Sequence, residues 1–107
     1  MNLLGLLMAA TLGLVLVTPA HAMDGTWNAD FSDNWSVASS WLSNQIADGA
    51  GATANLTYDI TGACTITIDG AVASRTLGIL NIGDANNTHA YTLAASGSAT
   101  LVLDSTW

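Results

Sequence analysis

Three tryptophans lie close together near the start of this chain, among polar side chains that could bind a sugar. The stretch "GTWNADFSDNWSVASSW" places Trp27, Trp35 and Trp41 within fifteen residues, and the whole chain has only four tryptophans. Exposed, roughly coplanar indole rings could stack on a saccharide, with the neighbouring Asn and Asp side chains binding its hydroxyls. The same rings could instead bury a large apolar area, in a core or as a cover over the end of a stacked β structure. The residue types allow both uses, and the position ahead of a β region favours capping.

Other side chains with catalytic potential do not form a recognisable pattern. Ser96, His89 and Asp84 supply the residue types of a nucleophilic triad, but no G-x-S-x-G elbow is present and His89 lies in a polar loop. Asp59 and Asp69 supply the carboxylates of a glycosidase pair, yet aspartates at strand ends more often form turns. With one arginine and no lysine, the chain also lacks cationic groups to activate a substrate. We therefore expect no enzyme activity and no catalytic residues.

Metal and cofactor motifs are also missing from the sequence. The "DG" at 69–70 and the "GD" at 83–84 match neither an EF-hand loop nor a calcium-binding nonapeptide repeat. Cys64 is the only cysteine, so no disulfide can form within the chain, and its place on an apolar face predicts a buried, unreactive thiol. The sequence predicts no cofactor and no metal.

Residues 1–22 have the pattern of a secretory signal peptide. The run Leu3 to Val17 is apolar and is followed by Pro19 and by an A-x-A cleavage signal, Ala20 to Ala22. The run is shorter than the roughly 18 residues that a membrane span needs. We expect cleavage after Ala22, a secreted or cell-surface location, and no stable membrane span afterwards.

The charge balance limits the partners of the exported part. The formal net charge is −7, and all eight acidic residues are aspartates. Nucleic acid and anionic membrane surfaces require Lys and Arg to neutralise phosphate. We therefore expect neither nucleic acid nor an anionic membrane as a partner.

Residues 54–107 alternate apolar and polar side chains with a period of two, which predicts half-buried strands. The segments are "NLTYDI", "CTITID", "TLGILNI", "AYTLA" and "ATLVLD". In "CTITID" we expect Cys64, Ile66 and Ile68 to face inward. "TLGILNI" alternates less regularly, which predicts a bulge or corner at Gly78 or Asn81. The fold class is all-β, as the first turns of a parallel β-helix or, given the "SGS" turn at 96–98, as an antiparallel β-sandwich. Residues 23–53 are expected to form a tryptophan-containing cap with a brief helix near 38–46 and a Gly-rich connector. The series ends directly after a strand, so we expect the repeat region 54–107 to be truncated at its C-terminal end.

The order of these segments resembles a known family. "NWSVASSW", "DGAGATANLTYDIT", "TITIDG", "RTLGILNIGD" and "YTLAASGSATLVLD" together are similar to the N-terminal region of secreted bacterial proteins with autotransporter-associated β-strand repeats. The resemblance spans nearly all of Trp27 to Ser105. It implies a right-handed parallel β-helix in an exported surface or matrix protein. It also implies that further rungs of a longer chain are the partner of this segment.

Taken together, these features predict a structural, adhesin-like or matrix-forming segment without catalysis. The alternative is an extracellular carbohydrate-binding module that uses Trp27, Trp35 and Trp41 to bind a polysaccharide. Burial or exposure of the three rings is the observation that bears most directly on this choice.

Overall fold

A computed structural model describes residues 22–70 and 74–106 of the chain, so the expected signal peptide lies outside the described residues except for Ala22. Strands dominate this part, and its helices are two short 3₁₀ helices, Ala38–Ser40 and Leu42–Asn44. The strands are β1 (Gly25–Thr26), β2 (Asp33–Asn34), β3 (Thr53–Leu56), β4 (Cys64–Ile68), β5 (Ser74–Leu77), β6 (Ile79–Ile82), β7 (Tyr91–Ala95) and β8 (Thr100–Leu103). The all-β class is confirmed, and the brief helix expected near 38–46 is present as 3₁₀ turns.

The strands form three parallel sheets. Their orders are β1-β3-β6, β2-β4-β7 and β5-β8, and every strand pair in them is parallel. The chain visits the sheets in a fixed order: β3, β4 and β5 form a first circuit, and β6, β7 and β8 repeat it as a second circuit. Each strand therefore pairs with the strand one circuit away, because consecutive strands lie in different sheets.

The antiparallel sandwich is wrong for the described residues. The "SGS" turn joins β7 to β8, but β7 pairs with β4 and β8 pairs with β5. Gly97 adopts a left-handed φ of 62°, as a tight turn requires, and the turn sends the chain to another sheet. Turn chemistry specifies a change of direction and does not specify the partner of the next strand.

In all three sheets, paired residues of the two circuits are separated by nearly the same number of residues along the chain. The spacing of the strands in the sequence did not reveal this regularity. Thr53 lies beside Ile79, Cys64 beside Tyr91, and Ser74 beside Thr100. One polar pair follows this register on the outer face, where the Asn81 side-chain amide donates to Oδ1 of Asn55 at 2.8 Å.

The core lies between the three sheets and is built from alternate residues of the first circuit. In β4 the burial pattern confirms the prediction, with Cys64, Ile66 and Ile68 buried and Thr65 and Thr67 only half-buried. The corresponding buried residues are Ala54 and Leu56 in β3 and Arg75 and Leu77 in β5. The full buried apolar set is Trp27, Ala29, Trp35, Trp41, Ala47, Ala52, Ala54, Leu56, Ile60, Cys64, Ile66, Ile68, Leu77 and Ala99.

The segment 23–53 is continuous with the strands that follow. It supplies β1 and β2, which extend two of the sheets by one strand each. Leu80, Tyr91, Leu93 and Leu101 of the second circuit pack against the same core as the tryptophans. The segment is therefore the first layer of the stack.

Gly78 forms the corner between β5 and β6, where the sequence predicted a bulge or bend. A Cβ at this position would lie 2.5 Å from the Gly51 Cα and 2.7 Å from its carbonyl carbon. The corner thus depends on two backbone segments in contact, with no room for a side chain on Gly78.

We predict that Gly78→Ala destabilises the protein by about 1–3 kcal/mol, because the added methyl group overpacks rigid backbone. The measurement is the free energy of unfolding in urea. Gly62→Ala is the matched control, since its Cβ would meet nothing within 4 Å. Equal stability of the two variants would contradict the close contact at the corner.

Candidate functional site

The three tryptophans lie in the core. Trp27 and Trp35 have no exposed surface and Trp41 is 1% exposed. The ring centroids of Trp27 and Trp41 are 5.3 Å apart and those of Trp35 and Trp41 are 4.9 Å apart, both pairs meeting edge to face. This geometry is the favoured one for buried aromatic pairs.

Each indole N–H is satisfied by a backbone carbonyl within the same segment. Trp27 Nε1 donates to Ala29 O at 3.0 Å, Trp35 Nε1 to Ala47 O at 3.0 Å, and Trp41 Nε1 to Trp35 O at 2.8 Å. These bonds fix the rings in orientation as well as in depth. A saccharide-stacking platform needs exposed, roughly coplanar rings, and these three rings are buried and steeply inclined to one another.

Side chains of the segment 23–48 accept hydrogen bonds from backbone N–H groups of the first circuit. A strand at the end of a parallel stack would otherwise leave these groups unpaired. The acceptors are three aspartates and a serine, and all four donors are threonines. The pairs are Asp24 with Thr53 N at 2.8 Å, Asp30 with Thr61 N at 2.7 Å, Ser32 with Thr65 N at 2.8 Å, and Asp48 with Thr76 N at 3.1 Å.

The single arginine belongs to this arrangement. Arg75 is 7% exposed, and its Nη1 donates to Oδ2 of Asp48 at 2.9 Å. The backbone N–H of Gly49 also donates to Thr76 O at 2.7 Å. One side of β5, which lacks a strand partner there, is therefore closed by residues 48 and 49. We call this layer of tryptophans and side-chain acceptors the capped end.

The opposite end of the stack is uncovered in the described residues. The outer edges of β6, β7 and β8, here called the open end, have no strand beside them. Leu56 and Leu77 are buried, whereas their register partners Ile82 and Leu103 are 45% and 65% exposed. The core is thus sealed on one side and open on the other.

Asp84 holds the loop after β6 together. Its exposed fraction is 5%. Its Oδ1 accepts a hydrogen bond from Ile60 N at 3.0 Å, and its Oδ2 accepts from the N–H groups of Thr88 and His89, each at 2.9 Å. Burial acts to raise the pKa of Asp84, but these bonds outweigh it and hold the pKa below its ordinary value. The carboxylate is a structural acceptor between the two circuits.

The residues of a nucleophilic triad are not brought together. His89 Nδ1 is 3.9 Å from Asp84, but Ser96 lies beyond the far end of β7. The five residues of that strand span roughly 13–17 Å. Ser96 is therefore too far from His89 for proton transfer.

Cys64 and Tyr91 lie one above the other on the inner side of β4 and β7. Burial raises the pKa of the Cys64 thiol, with a smaller contribution from Asp30, and the thiol donates to Phe31 O at 3.2 Å. Burial also raises the pKa of Tyr91 to about 12, and its hydroxyl donates to Tyr58 O at 3.0 Å. Both groups are protonated at neutral pH and are held by carbonyl acceptors.

A shallow cleft with a volume of about 560 Å³ opens beside β5. Its two carboxylates are already engaged, since Asp48 binds Arg75 and Asp104 accepts from Thr106 N at 3.0 Å. Across residues 22–70 and 74–106, no three His, Cys or acidic side chains are grouped to hold a metal ion. The cleft is lined by Met23, Asp48, Gly49, Ala50, Ser74, Thr76 and Asp104.

The chain matches no protein-family model, no curated protein and no solved structure. In the described residues, no helix has the length and apolar character needed to cross a membrane. The geometry of the two ends is therefore the main basis for a functional interpretation.

Sequence reasoning missed the side-chain acceptors of the capped end. The four pairs are separated by 28 to 33 residues, too far apart for any local motif. One signal was present: an Asp or Ser is followed, about one circuit later, by a Thr. This repeated offset marks the pairs once a circuit length is known.

We predict that Trp35→Ala lowers the free energy of unfolding by about 3–5 kcal/mol, because it removes a fully buried indole. That loss is comparable to the whole stability of a small domain. Phe31→Ala, at a side chain 59% exposed, should change stability by less than about 0.5 kcal/mol. Thermal unfolding followed by circular dichroism makes the comparison; a folded Trp35→Ala protein of normal stability would contradict the core role.

We predict that Asp84 makes the fold sensitive to acid. The pKa of Asp84 in the folded state is below the ordinary 3.8. The ionised carboxylate therefore stabilises the fold above about pH 4, and this contribution is lost as the pH falls through the folded-state pKa. Asp84→Asn should therefore be less stable at pH 7 and lose less stability than the parent between about pH 5 and pH 3.

Urea unfolding across that pH range tests the effect. Thr88→Ala is the comparison variant, since it removes one hydroxyl and leaves the carboxylate with its three backbone donors. It should retain the acid sensitivity of the parent. Identical pH profiles for Asp84→Asn and the parent would show that the carboxylate is not held as described.

Proposed function

We propose that this chain is a structural segment of an exported bacterial surface or matrix protein. In this proposal the two circuits are the first turns of a parallel β-helix, the tryptophan layer is its N-terminal cap, and the segment works in adhesion or matrix assembly without catalysis. The single observation that carries the proposal is the contrast between a sealed end and an open end on one stack of parallel sheets.

The strand order supports the β-helix. Three parallel sheets visited twice in the same order, with a nearly constant register between the circuits, are the pairing expected when successive turns stack on one another. Solenoids need terminal caps, because the core at each end would otherwise face water. The buried tryptophans and the side-chain acceptors of segment 23–48 meet that requirement at one end.

The open end supports a role in assembly. Among the described residues, its edges have no strand partner and carry exposed apolar side chains, which is the surface that a further strand layer would cover. Further rungs of a longer chain would fit there, in continuation of the register between the two circuits.

Export is supported by the sequence and by the position of Met23. A chain cleaved after Ala22 would begin with Met23, whose backbone N–H donates to Asp48 O at 2.8 Å and whose carbonyl accepts from Asp48 N at 3.0 Å. The exported chain would thus be tied to the fold from its first residue. The cleavage site would lie directly outside this contact.

Burial of the three rings weighs against the carbohydrate-binding alternative. Stacking on a saccharide would require Trp27, Trp35 and Trp41 to leave a core in which each N–H is bonded and each ring packs against another. No second function is favoured by a specific contact.

We predict that the full chain, produced in a bacterial host, is exported and begins at Met23. Ala22→Arg should block cleavage, because the position before the cut requires a small residue, whereas His21→Arg should be processed normally, since the middle of the A-x-A signal tolerates other residues. Cell fractionation and intact mass measure both outcomes. Retention of uncleaved parent chain in the cytoplasm would contradict the proposed function.

A further inference from the structure

From the loop between β6 and β7, residues 83–90, we infer that Asn86 is the acceptor of an N-linked glycan. The substrate is an oligosaccharide that a lipid diphosphate activates at its anomeric carbon. The inference rests on the proposed export, because Asn-x-Ser/Thr tripeptides are glycosylated in secreted proteins. The observations that carry it are the exposure of this loop and the hydrogen bonds within it.

The sequence contains three tripeptides of the Asn-x-Ser/Thr type. They are "NWS" at 34–36, "NLT" at 55–57 and "NNT" at 86–88, and none has proline in the middle. The tripeptide alone does not distinguish among them. The choice depends on where the fold places each asparagine.

Asn34 lies in a strand whose neighbours restrict access to the tripeptide. Its side chain is exposed, but its backbone is held in β2 beside Thr67. The middle residue, Trp35, has no exposed surface. The hydroxyl of Ser36 donates to Oδ2 of Asp69. A transferase that must bind both the asparagine and the hydroxyl would have to break this packing.

Asn55 is enclosed more fully, in the middle of a three-stranded sheet. It lies beside Thr26 of β1 and Asn81 of β6, and its Oδ1 accepts from the Asn81 side chain at 2.8 Å. The middle residue of its tripeptide, Leu56, has no exposed surface. Access to this site requires the sheet to open.

Asn86 lies outside the strands, in a loop whose residues 85–90 are all exposed. Asn87 has a left-handed φ of 59°, which turns the chain between Asn86 and Thr88. The Thr88 N–H donates to Asn86 Oδ1 at 3.1 Å, and the Thr88 hydroxyl lies within hydrogen-bond distance of the same oxygen. One surface therefore presents the carboxamide and the hydroxyl together. Both contacts use the carboxamide oxygen, so the nitrogen that would carry the glycan is outside them.

This exposure is compatible with further rungs on the open end. The loop at the same corner of the first circuit, residues 57–63, is exposed except at Ile60, although the second circuit lies beside it. Loops at this corner therefore project from the stack. A further circuit would leave the loop 83–90 accessible in the same way, with Asp84 holding its base.

The transfer is a substitution at the anomeric carbon of the sugar. The Asn86 Nδ2 forms the new bond to that carbon, and the bond from the carbon to the diphosphate oxygen breaks. The diphosphate leaves with the bonding electron pair, and the nitrogen releases one proton to a base of the transferase. Nothing is oxidised or reduced. The product carries a bulky, hydrophilic group on the side of the stack.

The test produces the full chain in a bacterial host that carries an oligosaccharyltransferase and a lipid-diphosphate-linked oligosaccharide of known mass. Intact mass reads the N-terminus and the number of glycans on the same molecule. The exported chain should gain the mass of one glycan, and peptide mapping should place it on Asn86. The same host without the transferase should give the unmodified mass.

Matched variants separate the three tripeptides. Asn86→Gln and Thr88→Ala should each lose the glycan, whereas Thr88→Ser should keep it because the hydroxyl is retained. Asn34→Gln and Asn55→Gln should keep the full mass increase. Circular dichroism of each variant confirms folding before the masses are compared.

An exported and cleaved parent chain without a glycan would overturn the inference and leave the proposed function standing. A folded chain that carries its glycan on Asn34 or Asn55 in place of Asn86 would overturn it as well. Failure of export would contradict the proposed function instead. In that case the purified folded chain, incubated with the transferase and the lipid-linked oligosaccharide, still tests Asn86 by the same mass increase.

Discussion

Unpaired backbone groups at the two ends of a parallel stack are the constraint on which this structure depends. Each strand bonds to neighbours on both sides, so the first and last layers each leave one row of N–H and C=O groups without a strand. At one end of this chain, aspartate and serine side chains accept the threonine N–H groups, and the buried tryptophans cover the apolar interior between them. The other end has no such cover in the described residues. The arrangement of the rest of the molecule follows from this difference.

The composition of the chain has a physical explanation in these contacts. Within the part of the chain that the structure describes, seven aspartates accept hydrogen bonds, most of them from backbone N–H or hydroxyl groups (Asp24, Asp30, Asp33, Asp48, Asp69, Asp84 and Asp104). Aspartate suits this use because its short side chain brings an ionised acceptor close to the backbone. The pKa values of Asp30 and Asp84 are lowered by such bonds. Acidic residues that resemble a binding surface in the sequence are thus largely parts of the fold.

The sequence predicted local features well and long-range pairing poorly. Alternation in β4 gave the correct inward residues, because a period of two directly reflects which side chains face the core. The irregular "TLGILNI" indicated a bulge or corner at Gly78 or Asn81, and the corner lies at Gly78 between β5 and β6. The "SGS" turn misled, since local turn residues carry no information about which sheet receives the next strand. The role of Trp35 stayed open for a related reason. An indole ring beside Asn and Asp side chains is compatible with sugar binding and with a core. The choice depends on the hydrogen-bond partners of those side chains, which lie more than a full circuit away along the chain.

Amide hydrogen exchange at the capped end tests the central claim most directly. The account predicts that side-chain acceptors protect the N–H groups of Thr53, Thr61, Thr65 and Thr76 from exchange, although three of these bonds are exposed. The buried reference is Cys64, whose N–H donates to the backbone carbonyl of Ala90 at 3.0 Å. Protection should be greatest at Thr76, whose bond to Asp48 is part-buried, because the bonds of the other three threonines lie in exposed positions. Fast exchange at these threonines, with Cys64 still protected, would show that the end is not sealed and would contradict the account.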